Sequence, residues 1–143
     1  MASDGYNVLL VQDSNGLSTL VKDVLARNNG FQVAHVPDAL AAVAYVRGYH
    51  ESAHRERFPR PDIVLLDLRA ANCEHLEFLQ WAQRRTFRPV LAVFSTQNQT
   101  DNRKLAEQLQ PDLFEPDIAD PQVFERFLHF VGNIAVARRR EQA

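Results

Sequence analysis

Short apolar runs alternate along the chain with longer stretches in which apolar residues recur every three or four positions. The runs lie at about 6–12, 31–36, 62–68 and 89–95, with a shorter one at Leu113-Phe114. Runs this short and this apolar predict strands buried on both faces, as in a parallel sheet. Between them, helical spacing predicts a helix over about 15–28, with Leu17, Leu20, Val21, Val24 and Leu25 on one face. Asn29-Gly30 stops it, Gly being suited to the left-handed end. Further helices are predicted over about 37–48, 74–84 and 99–109, the last of these weak, with only Leu105, Ala106 and Leu109 as apolar contacts. Asp120-Pro121 starts a final helix, Asp as cap and Pro in the first turn, expected to run to about Arg138. The polar stretch from Tyr49 to Arg60 reads as a solvated loop or frayed helical extension. Its His50 and His54 are candidate metal ligands, but on an exposed segment that spacing more often binds nothing.

Five strands alternating with five helices imply a parallel sheet with right-handed crossovers. The expected architecture is a three-layer α/β sandwich of the flavodoxin-like (βα)5 type, with strand order 2-1-3-4-5. One domain is expected over residues 1–143, with its core at about 6–131. In that order the first and third strands are neighbours at the switch point, so Gln12, Asp13 and Asp67 converge on one crevice. Asp67 ends the run Ile63-Val64-Leu65-Leu66-Asp67. A carboxylate is costly inside a core but natural at the C-terminal sheet edge, where open α/β folds bind ligands. Phe94, Ser95 and Glu115, which follow the fourth and fifth strands, close the crevice.

Composition narrows the function classes. With 143 residues, 45% of them hydrophobic, the chain can bury a full core. A net charge of -2 gives no global field toward nucleic acid or an anionic membrane. Cys73 is the single cysteine, so no internal disulfide can form. No apolar stretch approaches the roughly 20 residues of a membrane helix, and no signal pattern opens the chain; a cytoplasmic location is expected. Asp13-Ser14-Asn15-Gly16 has one Gly and no phosphate-loop Lys, and no nucleophilic triad appears, so an enzyme is not expected.

The order and spacing of these motifs resemble response-regulator receiver domains, the CheY-like domains of two-component signalling, over about residues 6–131. Val8-Leu9-Leu10-Val11-Gln12-Asp13-Ser14 resembles the family's first strand, and Pro61-Asp62-Ile63-Val64-Leu65-Leu66-Asp67-Leu68 its phosphoacceptor strand. Pro89-Val90-Leu91-Ala92-Val93 resembles strand four, and Leu113-Phe114-Glu115-Pro116 the end of strand five. The long polar segment before strand three is similar to that of stand-alone receivers that partner phytochrome-type kinases. The resemblance implies that a histidine kinase passes a phosphoryl group to Asp67. It also implies Mg²⁺, held by Asp13, Asp67, the backbone carbonyl of Arg69 and, weakly, Gln12. A cis bond between Glu115 and Pro116 is a further implication.

Several positions depart from the family pattern. Gln12 replaces one of the paired acids and brings no charge. Phe94 stands where a hydroxyl is expected, and Ser95, one residue on, points to the opposite face. Glu115 replaces the lysine. A carboxylate about 4–6 Å from a phosphoaspartate repels it by a few kcal/mol at an effective dielectric near 20. Arg69-Ala70-Ala71-Asn72 replaces the usual Pro-Gly loop, and His75 stands where Gly is common. The pattern resembles degenerate receivers, or pseudo-receivers, which act as interaction modules.

In the last helix, Phe124, Phe127, Leu128, Val131 and Ala135 form one stripe toward the sheet. Val123, Phe130 and Ile134 are left over, and they predict a homodimer or a bound partner across this face. Arg138-Arg139-Arg140 could touch nucleic acid or membrane, but at a helix C-terminus such a trio more often complements the helix dipole. With no recognition-helix domain following, no nucleic-acid or membrane partner is expected.

Overall fold

The two strands at the centre of the sheet are buried along their whole length, and this fixes the architecture. The computed structural model describes residues 5–12, 23–25, 27, 30–38, 41–42, 45, 61–68, 89–95, 100–116, 118 and 120–142. Its strands are β1 (Tyr6–Val11), β2 (Phe31–Val36), β3 (Ile63–Asp67), β4 (Val90–Phe94) and β5 (Leu113–Glu115). They form one sheet in the order β2-β1-β3-β4-β5, as the sequence predicts, and every pairing is parallel. All five residues of β3 and of β4 are buried, the pattern of strands covered on both faces.

Alternation along the strands splits the core in two. Val8, Leu10, Ile63, Leu65, Val90, Ala92 and Phe94 face the last helix, Pro121–Gln142, and pack on Phe124, Phe127, Leu128, Val131 and Ala135. Leu9, Val11, Val64, Leu66, Leu91 and Val93 face the other way, toward Ala42, Tyr45 and the helix Thr100–Leu109, through Ala106 and Leu109. Gln110 ends that helix at φ 52°, the left-handed position where Gly is the usual residue. Asp120 caps the last helix: its Oδ1 accepts from Gln122 N at 2.9 Å and its carbonyl from Val123 N and Phe124 N. Asp38 does the same before Ala41 and Ala42, which are helical. Of the helices expected over 15–28 and 37–48 only fragments are described, and the one expected over 74–84 lies outside the described residues.

Three expectations need correction. The last helix continues one turn beyond Arg138, to Gln142. No described peptide bond is cis, so the Glu115–Pro116 bond is trans. Nor are Val123, Phe130 and Ile134 equally bare. Ile134 packs partly on the core and Val123 is half-buried, whereas Phe130 is 55% exposed.

The extra turn has a physical cause in two arginines. Asp62 and Asp112 each stand directly before a strand and after a proline, and each clasps one residue of the neighbouring strand. Asp62 donates its N–H to Asn7 O and accepts Asn7 N at its carboxylate, both at 2.8 Å. Asp112 does the same with Leu91, again at 2.8 Å for both bonds. Each carboxylate then receives an arginine from the last helix. Arg138 forms a bidentate pair with Asp112 (2.7 and 3.1 Å) and also donates to Pro89 O. Arg139 pairs with Asp62 at 3.0 Å, donates to Gly5 O and lies 3.8 Å over the Tyr6 ring. Thus two members of the arginine trio are engaged within the fold.

The Arg138–Asp112 pair is the better placed, its side chains being 23% and 22% exposed. Arg138→Ala leaves Asp112 short of two charge-assisted bonds and is expected to cost about 2 kcal/mol of stability. The urea midpoint measures it; an unchanged midpoint would show that the pair is only a surface contact.

Candidate functional site

β1 and β3 are hydrogen-bonded neighbours, with Leu10 level with Leu65 and Val11 with Leu66. The next residue of β1's run, Gln12, therefore arrives level with Asp67 at the C-terminal edge. Its backbone N–H continues the ladder to Val36 O at 3.0 Å. Both side chains are fully buried, and Gln12 Nε2 donates to Asp67 Oδ2 at 3.2 Å. On the other side of the same residue, His35 Nε2 donates to the Gln12 main-chain carbonyl at 2.7 Å.

The row continues across the sheet. Asp67 is level with Phe94, and Phe94 with Glu115. Strand alternation puts Gln12, Asp67, Phe94 and Glu115 on the same face, the one that carries the last helix. Phe94 is fully buried; its ring meets Phe124 edge-on at 5.6 Å and Phe127 at 6.3 Å, and those two stack at 6.0 Å. Where the family pattern has a hydroxyl, this chain thus has an aromatic cluster pinning β4 to the helix. Ser95 follows on the opposite face by alternation and is buried. Its N–H binds Glu115 O and its carbonyl accepts Ile118 N, both at 3.0 Å.

Glu115 is half-buried and lies two strands from Asp67. At about 4.8 Å per strand their backbones are roughly 10 Å apart, with Phe94 between. Asp13 and Arg69 lie outside the described residues, as do His50, His54, Cys73 and His75.

The described donors bear on the implied cation. A hard cation takes oxygen ligands, carboxylates first. Asp67 supplies a carboxylate, and Gln12 Oε1 is a buried oxygen with no hydrogen-bond partner among the described residues. Such an orphan acceptor suits a cation or a water. The pair brings only one negative charge, however, and the Gln12 amide nitrogen already sits against Asp67. These two residues fit one side of a weak divalent site. Among the described residues no group of three or more His, Cys, Asp or Glu could hold a metal.

The sequence pattern did not reveal the aromatic cluster, the His35 bond or the two arginine pairs. A signal for the last existed in the repeated Pro-Asp before a strand, Pro61-Asp62 and Pro111-Asp112.

No protein-family model matches the chain, and no curated protein matches it. Solved structures do. The phosphorylated cyanobacterial phytochrome response regulator RcpA is 25% identical, with 91% of each chain covered and a TM-score of 0.66. The Mn²⁺-bound form of response regulator Rcp1 is 23% identical, with 90% of this chain and 91% of that one covered and a TM-score of 0.63. A CheY-like receiver domain protein from Methanospirillum hungatei is 14% identical over 96% and 98% of the two chains, with a TM-score of 0.70.

Because Phe94 joins the sheet edge to the last helix, Phe94→Ala is expected to cost about 3–5 kcal/mol. Chemical denaturation measures this; a loss below 1 kcal/mol would mean that the cluster collapses around the gap without consequence.

Proposed function

We propose that this chain, a CheY-like response-regulator receiver domain in fold, serves two-component signalling as a non-enzymatic module, with Asp67 as an impaired acceptor for a phosphoryl group from a histidine kinase. The observation that carries the reading is the position of Asp67. It is a buried carboxylate at the C-terminal end of β3, beside β1, where the strand order reverses. In the transfer, an Asp67 carboxylate oxygen attacks phosphorus, the kinase histidine nitrogen leaves with the bonding electron pair, and an acyl phosphate forms. A divalent cation, Mg²⁺ in this reading, would be held by Asp67 and weakly by Gln12, together with Asp13 and the Arg69 carbonyl. When bound it offsets the charge of acceptor and phosphate.

Four features support impairment. Asp67 is fully buried with an amide on one oxygen. Gln12 adds no charge to the cation site. Phe94 offers no hydroxyl to a phosphoryl oxygen, and Glu115 offers no cation. A second reading follows from the same features: a pseudo-receiver that binds its partners without phosphorylation, with Phe94, Phe124 and Phe127 fixing the helix in one position. No described helix is long and apolar enough to cross a membrane, and the proposed setting is the cytoplasm. Proposed partners are a histidine kinase or another signalling protein, rather than nucleic acid or membrane, with one domain spanning residues 1–143.

Acetyl phosphate with Mg²⁺, followed by intact mass, separates the two readings. An impaired acceptor gains a minor phosphate adduct that Asp67→Asn abolishes. A pseudo-receiver gains none, even when Gln12→Glu and Glu115→Lys are combined.

Gln12→Glu alone should bind Mg²⁺ at least several-fold more tightly than wild type, because it replaces a neutral donor with a carboxylate. Calorimetric titration measures it, and equal affinity in the two proteins would remove Gln12 from the cation site.

A further inference from the structure

The contact between Gln12 and Asp67 uses one half of an amide and leaves the other idle. Gln12 Nε2 donates to Asp67 Oδ2 at 3.2 Å, while Gln12 Oε1 is buried with no hydrogen-bond partner among the described residues. A buried acceptor left in that state costs free energy. The last torsion of a Gln side chain offers two orientations, roughly half a turn apart. Turned over, the amide would set Oε1 against the Asp67 carboxylate, oxygen facing oxygen, which is repulsive unless a cation lies between them. The donor orientation is the one the carboxylate selects by itself, and the idle oxygen is the consequence.

The rest of Gln12 cannot yield. Its N–H is bound to Val36 O at 3.0 Å, and its carbonyl receives His35 Nε2 at 2.7 Å. The main chain is held to β2 through both of its polar groups, so the remaining freedom is in the side chain. The amide protons point at Asp67 Oδ2 with positive partial charge. A hard cation on the same oxygen meets those protons, which carry its own sign of charge. In exchange for turning, Gln12 can give the cation one neutral oxygen. Water replaces such an oxygen readily, since Mg²⁺ usually keeps several waters. Nothing replaces the charge-assisted bond that the amide gives up. On balance Gln12 opposes a cation beside Asp67.

We propose that Gln12 is a stopper built into the acceptor: its side-chain amide occupies an Asp67 oxygen in place of a divalent cation and yields it only by turning over. This role rests on the reading of Asp67 as a phosphoryl acceptor with a cation beside it. It gives the impairment a cause besides the missing charge. A merely poor ligand and a stopper differ in sign. Removing the first weakens cation binding, and removing the second strengthens it.

Calorimetric titration with Mg²⁺ alone reads that sign on wild type, Gln12→Met, Gln12→Ala and Gln12→Glu. Met keeps the side-chain volume, Ala leaves room for a water, and neither has an amide. Both are expected to bind Mg²⁺ several-fold more tightly than wild type, with Gln12→Glu tighter still. Either of the two carries the test if the other fails to fold by circular dichroism. Urea unfolding gives a second readout. Without Mg²⁺ the amide-free variants should unfold at lower urea than wild type, because Asp67 has lost a donor. A fixed Mg²⁺ concentration should then raise their midpoints by more than it raises that of wild type, since stabilisation follows affinity. If both amide-free variants bind no more tightly than wild type while Gln12→Glu does, the stopper is overturned and the acceptor reading stands. If none of the four proteins binds Mg²⁺, the cation site itself is overturned, and the stopper with it.

Discussion

A sheet whose central strands are buried on both faces has room for polar side chains only at its ends, and the rest of this structure follows from that constraint. β3 and β4 offer no solvated face, so each polar group they carry sits at one end and needs a partner there. At the C-terminal ends Asp67 takes the Gln12 amide. At the N-terminal ends Asp62 and Asp112 take a backbone N–H and an arginine each. One end holds a carboxylate beside a neutral donor and the other holds two fully charged pairs. That difference separates a place where chemistry can be hosted from a place where the fold is fastened.

The last helix joins the two ends. It starts at Asp120, passes the Phe94 cluster, and finishes over the strand starts where Arg138 and Arg139 dock. Most of its stability comes from the packed inner stripe, as for any amphipathic helix of its length. The capping acid and the two ion pairs fix its position along its own axis, which packing alone leaves less determined.

The fold was legible because its signals are local and redundant. Ile63-Val64-Leu65-Leu66 and Val90-Leu91-Ala92-Val93 can only be buried strands at that length, and their alternation with helical spacing dictates a parallel order. The helix-facing stripe from Phe124 to Ala135 was equally plain. The site was legible in which residues approach the edge, through the strand ends at Gln12, Asp67, Phe94 and Glu115. It was not legible in what those residues touch. Whether Phe94 points to a vacant crevice or to Phe124 depends on packing between elements 30 residues apart. The distance from Asp67 to Glu115 depends on which strand lies between them. The helix end was placed short for the same reason: Arg138-Arg139-Arg140 reads as a trio that complements the helix dipole until the two aspartates are brought beneath it.

The paired aspartates carry a consequence for how this sequence can drift over time. Asp112 and Arg138 lie far apart in the chain yet form a single charge pair, as do Asp62 and Arg139. Losing one member strands the other against the strand starts, so single replacements at these four positions are penalised while paired ones are tolerated. Among descendants of this chain the residues at 112 and 138 should therefore covary, and those at 62 and 139 likewise. Because each aspartate also clasps its neighbouring strand, the arginine positions are the freer half of each pair and should be the first to change.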